Sequence, residues 1–155
     1  MFREMRRKDK QMAPESARAL LKNQCYGILS VMGEEGYPYG VPVNYVYFED
    51  AIIFHSALSG HKIQGIQSYP RVSFTVVGEN KVNARQLSTE YESVVIFGEA
   101  VILEGEEKQR ALLAFGEHFA SDFMAIVHQA VKKEFSITQM VRIDIHHLTG
   151  KKALE

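Results

Sequence analysis

Phe54-His55-Ser56-Ala57-Leu58-Ser59-Gly60-His61-Lys62 gathers two imidazoles, two hydroxyls and an ammonium within one short stretch. An apolar, β-prone run ends there and a helical pattern begins, so free backbone N–H groups and the positive end of a helix dipole converge on the same place. Each of these groups donates hydrogen bonds and Lys62 adds a full charge, so the chemistry points to an anion, with phosphate the natural candidate. The bland alternative is that Ser59 is only a helix N-cap and Lys62 only a solvated side chain.

A second candidate is Tyr37-Pro38-Tyr39-Gly40-Val41-Pro42-Val43-Asn44-Tyr45, where irregular strand backbone rich in proline and aromatics can offer carbonyl and amide groups to a planar ligand. Its plain reading is an edge strand with packed rings. A third is Tyr91-Glu92-Ser93-Val94-Val95, a polar pair ahead of an apolar run, which also reads as simple strand initiation.

Other motifs fail on inspection. Ser59-Gly60-His61-Lys62 matches Ser-x-x-Lys, but the chain has no Ser-Asp-Asn triplet and is too short for a penicillin-binding fold. Of the histidines, His146 and His147 are adjacent on an expected strand and point to opposite faces, and His118 and His128 fall on separate helices, so no metal site is expected. No Gly-x-Gly-x-x-Gly occurs, which removes a Rossmann dinucleotide site.

The elements that must position these residues follow from patterning. Pro14-Glu15 opens a short helix through Leu20 and Leu21, with proline where its missing N–H is harmless. Residues 25–32 and 37–48 are apolar, β-branched and aromatic around Gly33-Glu34-Glu35-Gly36, which predicts a hairpin, and Pro38 and Pro42 place its second strand at an edge or a bulge. Glu49-Asp50 turns into a third strand at 51–57. A short helix opens near Ser59 and stops at Pro70, a strand covers 71–77, and residues 78–90 read as a loop. The longest strand is expected at 91–103, with Gly98 marking a bend or bulge. Two helices follow, on Leu112/Phe115/Phe119 and on Phe123/Val127/Ala130/Val131. Alternation of Val141, Ile143 and Ile145 with polar residues closes the sheet. About six strands joined mainly by hairpins predict an antiparallel α+β barrel, mainly β, with flanking helices.

The 155 residues suit one domain, 46% hydrophobic content supports a core, and a net charge of −1 gives no overall field to attract nucleic acid or membrane. Residues 1–12 form a basic arm with neither an apolar h-region nor a cleavage site, so a cytoplasmic setting is expected. The single Cys25 makes no internal disulfide and is expected to be a buried thiol.

Taken together, Gly27-Ile28-Leu29-Ser30, the 36–45 stretch, Phe54-His55-Ser56-Ala57, Gly60-His61-Lys62, the 88–100 stretch and Thr149-Gly150-Lys151 resemble the pyridoxamine 5′-phosphate oxidase-related FMN-binding split-barrel family. The similarity is greatest to its nitroimidazole-resistance-like branch and covers about residues 6–153. The resemblance implies a six-stranded split barrel that forms a homodimer with FMN in a groove between subunits. Carried over by position, Val41, Pro42, Val43, Asn44 and Tyr45 would line the isoalloxazine ring. His55, Ser56 and Ala57 would follow the ribityl chain and phosphate, and His61 with Lys62 would clamp the phosphate. Ser93, Val94 and Val95 would approach from the partner subunit or the facing strand, and Thr149, Gly150 and Lys151 would close one edge.

True pyridoxamine phosphate oxidases carry a C-terminal arginine-, histidine- and tryptophan-bearing extension over the flavin. This chain has no tryptophan and stops at Glu155, so vitamin B6 oxidation is not the expected activity. The expectation is an FMN-dependent oxidoreductase taking hydride from a reduced nicotinamide donor and reducing a small acceptor such as a nitro compound. His55 is the best-placed imidazole if a proton must move. The alternatives are a flavin- or haem-binding protein without turnover, a pyridoxamine 5′-phosphate oxidase-like enzyme, and an oligonucleotide-binding barrel that uses Arg3, Arg6, Arg7, Lys8 and Lys10.

Overall fold

A computed structural model of the chain describes residues 1–154. Seven antiparallel strands form one sheet: β1 (Tyr26–Met32), β2 (Pro38–Asn44), β3 (Val46–Phe48), β4 (Ala51–Ala57), β5 (Arg71–Asn83), β6 (Ser88–Ile102) and β7 (Thr138–Ala153). Their order is β2-β1-β5-β6-β7-β4-β3. Four helices flank it: α1 (Pro14–Asn23), α2 (His61–Ser68), α3 (Gly105–Ala120) and α4 (Met124–Glu134).

The expected strand at 37–48 is two strands, which raises the count from six to seven. Tyr45 breaks it: its N–H donates to the Cys25 carbonyl (3.1 Å), its hydroxyl donates to the Leu21 carbonyl (2.6 Å), and its ring is fully buried against Phe74. β2 and β3 stand at opposite ends of the strand order, yet only Tyr45 separates them. The sheet must therefore curl until its two ends meet, and this is the geometry of a split barrel.

Other expectations are corrected in the same way. Residues 78–90 are not a loop; β5 and β6 continue as a long hairpin, paired from Asn80–Tyr91 to Asn83–Ser88. Polar residues can extend a ladder that projects past the core, where neither face needs to be apolar. The β6–β7 register shifts between Phe97 and Gly98, and a Cβ on Gly98 would collide with the Asp144 carbonyl oxygen. Cys25 is exposed just ahead of β1 rather than buried.

Two apolar clusters hold this arrangement. Inside the curl, Leu29, Phe54, Phe74, Ile96 and Ile143 meet Ala17 and Leu21 of α1 and Ile63 and Ile66 of α2. Outside it, Val46, Ile53 and Met140 pack on Leu103 and on Ala111 of α3. Strand alternation sends Ile52, Phe54 and Ser56 inward, and Ile53 and His55 outward toward the helices. Among the described residues no helix is long and apolar enough to cross a membrane.

Candidate functional site

The register of the strands leaves a seam. β2 pairs only with β1, so its second edge has no strand partner, as befits a strand carrying Pro38 and Pro42. Across the curl, β3 pairs only with the start of β4, so residues 54–57 of β4 are paired with β7 on one side and with no strand on the other. The chain direction runs these two open edges past each other, and β2 and β4 touch. Backbone amides and carbonyls on both sides are thus available to a ligand laid along the seam. The structure brings Val41, Pro42, Val43 and Asn44 to one side of it and the end of β4 to the other. Tyr45 differs, because its side chain lies wholly in the core.

At the end of β4 the seam runs into the start of α2. Gly60, at φ 135°, is the N-cap, and no side chain caps the helix, so the reading of Ser59 as the cap does not hold. The first-turn N–H groups of α2 are left free of side-chain acceptors. The Ser56 hydroxyl is buried without a hydrogen-bond partner among the described residues. Lys62 is half-buried and forms no ion pair among them. An orphaned hydroxyl, an ammonium without an ion pair and uncapped amides near the start of α2 are each groups that donate to an anion. A phosphate ester fits this donor set.

His61 and Lys62 part company. Adjacent helical residues point about 100° apart, and His61 turns to the hairpin tip. There it stacks on Tyr39 (3.9 Å between centroids, 18° between planes), and its Nε2 accepts the Glu34 N–H at 3.4 Å. The charge of Lys62 is felt instead by His55.

His55 projects from the opposite face of β4 to Ser56 and meets Phe115 of α3 in a T-shaped contact at 4.7 Å. It stands in an apolar cleft of about 280 Å³ between the sheet and α3–α4, walled by Leu112, Phe115, Val127, Val131 and Met140, with Glu134 and Thr138 as its polar members. The residue as a whole is exposed, yet partial loss of water around the ring, reinforced by Lys62 and opposed by Glu134, lowers its pKa below the ordinary histidine value. The shift favours the neutral imidazole, which can accept or donate one hydrogen bond.

Because the folded pKa lies below the unfolded one, the unfolded chain binds more protons as pH falls, and His55 contributes to acid destabilisation once pH drops below the ordinary histidine range. An NMR titration of the His55 ring should show a midpoint below 6.5, and Lys62→Gln should move it upward. A midpoint indifferent to Lys62→Gln would remove the electrostatic link between the two residues.

The remaining sequence candidates pair with each other elsewhere. Ser93, Val94 and Val95 lie opposite Lys151, Gly150 and Thr149 across β6 and β7. Val94 faces the core, whereas the half-buried Ser93, Val95, Thr149 and Lys151 stand on the sheet's outer face. That group is at the far end of β7 from Thr138, the residue beside Ala57, so one chain does not bring it to the seam. What sequence reading missed is the apolar cleft behind His55; the helical spacing of Phe115 and Val127 was visible, but not that it faces β4. Among the described residues no group of three or more His, Cys, Asp or Glu could hold a metal ion.

Comparison with known proteins places this geometry in a family. Residues 13–152 match the family model of pyridoxamine 5′-phosphate oxidase, and the chain belongs to that family. A conserved hypothetical protein of Mycobacterium tuberculosis superposes with a TM-score of 0.82 at 19% identity, covering 96% of this chain and 90% of that one. A protein assigned to 5-nitroimidazole antibiotic resistance in Bacteroides thetaiotaomicron gives 0.76 at 24% identity, over 91% and 85%. An FAD- and haem-binding protein of Mycobacterium smegmatis gives 0.83 at 18% identity, over 94% and 74%. No curated protein sequence matches the chain. At these identities the solved structures speak for the fold, a curled, mainly β split barrel with flanking helices.

Proposed function

We propose that this chain is an FMN-binding oxidoreductase that works as a homodimer, accepting reducing equivalents from a reduced nicotinamide nucleotide and delivering them to a small acceptor such as a nitro compound. The observation that carries the reading is the seam itself: two open strand edges that end on the Ser56 hydroxyl, the uncapped start of α2 and the unpaired Lys62. A long ligand with a planar, hydrogen-bonding ring at one end and a phosphate at the other matches that sequence of donors. Bound there, the flavin would supply the redox chemistry, and the protein would supply position, exclusion of water and local charge.

The chain's own groups divide that work. β2 backbone orients the ring, Ser56 and α2 hold the phosphate, and Lys62 neutralises it. His55, neutral and facing the apolar cleft, is the imidazole able to hold or pass a proton beside an acceptor. The second copy is supported by the outer face of the sheet. There the register aligns Pro42, Ile28, Thr75, Val95 and Thr149 in one row across five strands, flanked by exposed Tyr26 and Val77. The exposed Tyr26 and Val77 beside this mostly half-buried row support the reading of a protein contact there. A second chain on it would also bring the Ser93–Val95 and Thr149–Lys151 group to a neighbouring seam.

The test begins with the visible spectrum of the purified protein after incubation with FMN, in which flavin, deazaflavin and haem absorb differently. Stopped-flow mixing with NADH and NADPH follows. Retained flavin reduced by either donor, and reoxidised by a nitroaromatic, is the expected result. Retained flavin that neither donor reduces would leave a binding protein without turnover, and a Soret band would replace FMN with haem. Sedimentation should give a dimer; a monomer that binds FMN tightly would reject the shared site.

A further inference from the structure

The face of β4 that bears His55 is only partly roofed by α3 and α4, which leaves the apolar cleft of about 280 Å³. The cleft is not slack packing between the two helices. At Gly116 they approach so closely that a Cβ there would collide with the Val127 methyl groups, and Val127, Val131 and Met140 are themselves buried. The space lies between the helix pair and the strands. Two of its lining residues, Ala130 and His55, are exposed, so it opens to solvent.

The polar groups of the cleft are Glu134, the last residue of α4, and Thr138, the register partner of Ala57 at the end of β4. The half-buried Glu134 carboxylate has no ion pair among the described residues, and the Thr138 hydroxyl donates to it over a long 3.5 Å. A carboxylate has about four lone-pair sites, so most of its accepting capacity is left for a donor from outside the chain. Phe115, the His55 ring and Met140 favour an aromatic molecule over an aliphatic one. The volume lies just under the roughly 300–1,000 Å³ of pockets for drug-sized ligands, which suits one ring or two fused rings. An anion would be repelled by Glu134. A cation would meet apolar walls that cannot solvate it and the field of Lys62 that reaches His55.

We propose that the cleft between β4 and the α3–α4 pair binds a small uncharged aromatic molecule carrying a ring N–H, with Glu134 accepting that N–H and Phe115 packing on the ring. The site is on the opposite face of β4 from Ser56, and none of its lining residues belongs to the row given to the second copy. Binding is therefore independent of the flavin reading; only the part such a molecule would play beside His55 during turnover rests on it.

The probe is indole, titrated against the full chain. The chain has no tryptophan, so indole emission is read against a tyrosine-only background, and calorimetry repeats the titration with FMN present. Saturable binding is expected in both states. Ala130→Phe, at an exposed rim position, should fill the mouth and weaken indole about tenfold or more with little change in melting temperature. Glu134→Gln should weaken it about three- to tenfold, because a charged acceptor becomes a neutral one. 1-Methylindole, which cannot donate, should bind wild type about tenfold more weakly than indole and be indifferent to Glu134→Gln. Failure of indole to saturate on the folded wild-type chain, an affinity unchanged by Ala130→Phe, or the same response of both indoles to Glu134→Gln would overturn the proposal. A chain that binds indole but retains no FMN would overturn the flavin reading alone, and one that retains FMN without binding indole would overturn this site alone.

Discussion

Alanine at position 62 should weaken the proposed FMN binding by about ten- to a hundredfold while leaving the melting temperature in place. The magnitude follows from the loss of one charge-assisted hydrogen bond in a half-buried setting, worth roughly 1.5–3 kcal/mol, at 1.4 kcal/mol per tenfold. The fold should tolerate the change because Lys62 forms no ion pair among the described residues. Lys62→Arg should recover most of the affinity, because charge and donors both persist. Quenching of flavin fluorescence on titration with protein measures all three chains. Equal affinity for wild type and Lys62→Ala would take the phosphate away from the start of α2, and with it the orientation of the ring along the seam.

The second large effect is on the fold. Tyr45→Ala should destabilise the protein by about 3–5 kcal/mol, the range found for removing a fully buried aromatic ring. Tyr45→Phe isolates the hydroxyl: it leaves the Leu21 carbonyl, one of the last four of α1 and so without a helical partner, with no donor, at a cost of about 1–3 kcal/mol. Burial also raises the Tyr45 pKa far above the ordinary tyrosine range, so this bond survives in alkali. Denaturant unfolding of both variants provides the measurement, and FMN affinity should fall with Tyr45→Ala, since that residue turns β2 into β3 and so sets the seam. A Tyr45→Ala chain as stable as wild type would mean that closure of the sheet depends on other contacts.

The sequence by itself was enough for the class of architecture and for which stretches carry donors. The alternation of Val141, Ile143 and Ile145 marks the last strand because a half-buried strand repeats every second residue, and Pro14 and Pro70 bracket helices through local backbone geometry. The gathering of donors from Ser56 to Lys62 was legible for the same reason: it depends on neighbours along the chain. The break at Tyr45 was not, since it is imposed by the Leu21 and Cys25 carbonyls, brought there by α1 and β1.

Nor could local pattern show that residues 78–90 continue a ladder, or that Ser93–Val95 lies against Thr149–Lys151, because cross-strand register is a long-range property. The same limit hid the separation of His61 from Lys62. Which side chains are close along the chain is written in its order; which open edges face one another is decided only when the sheet closes.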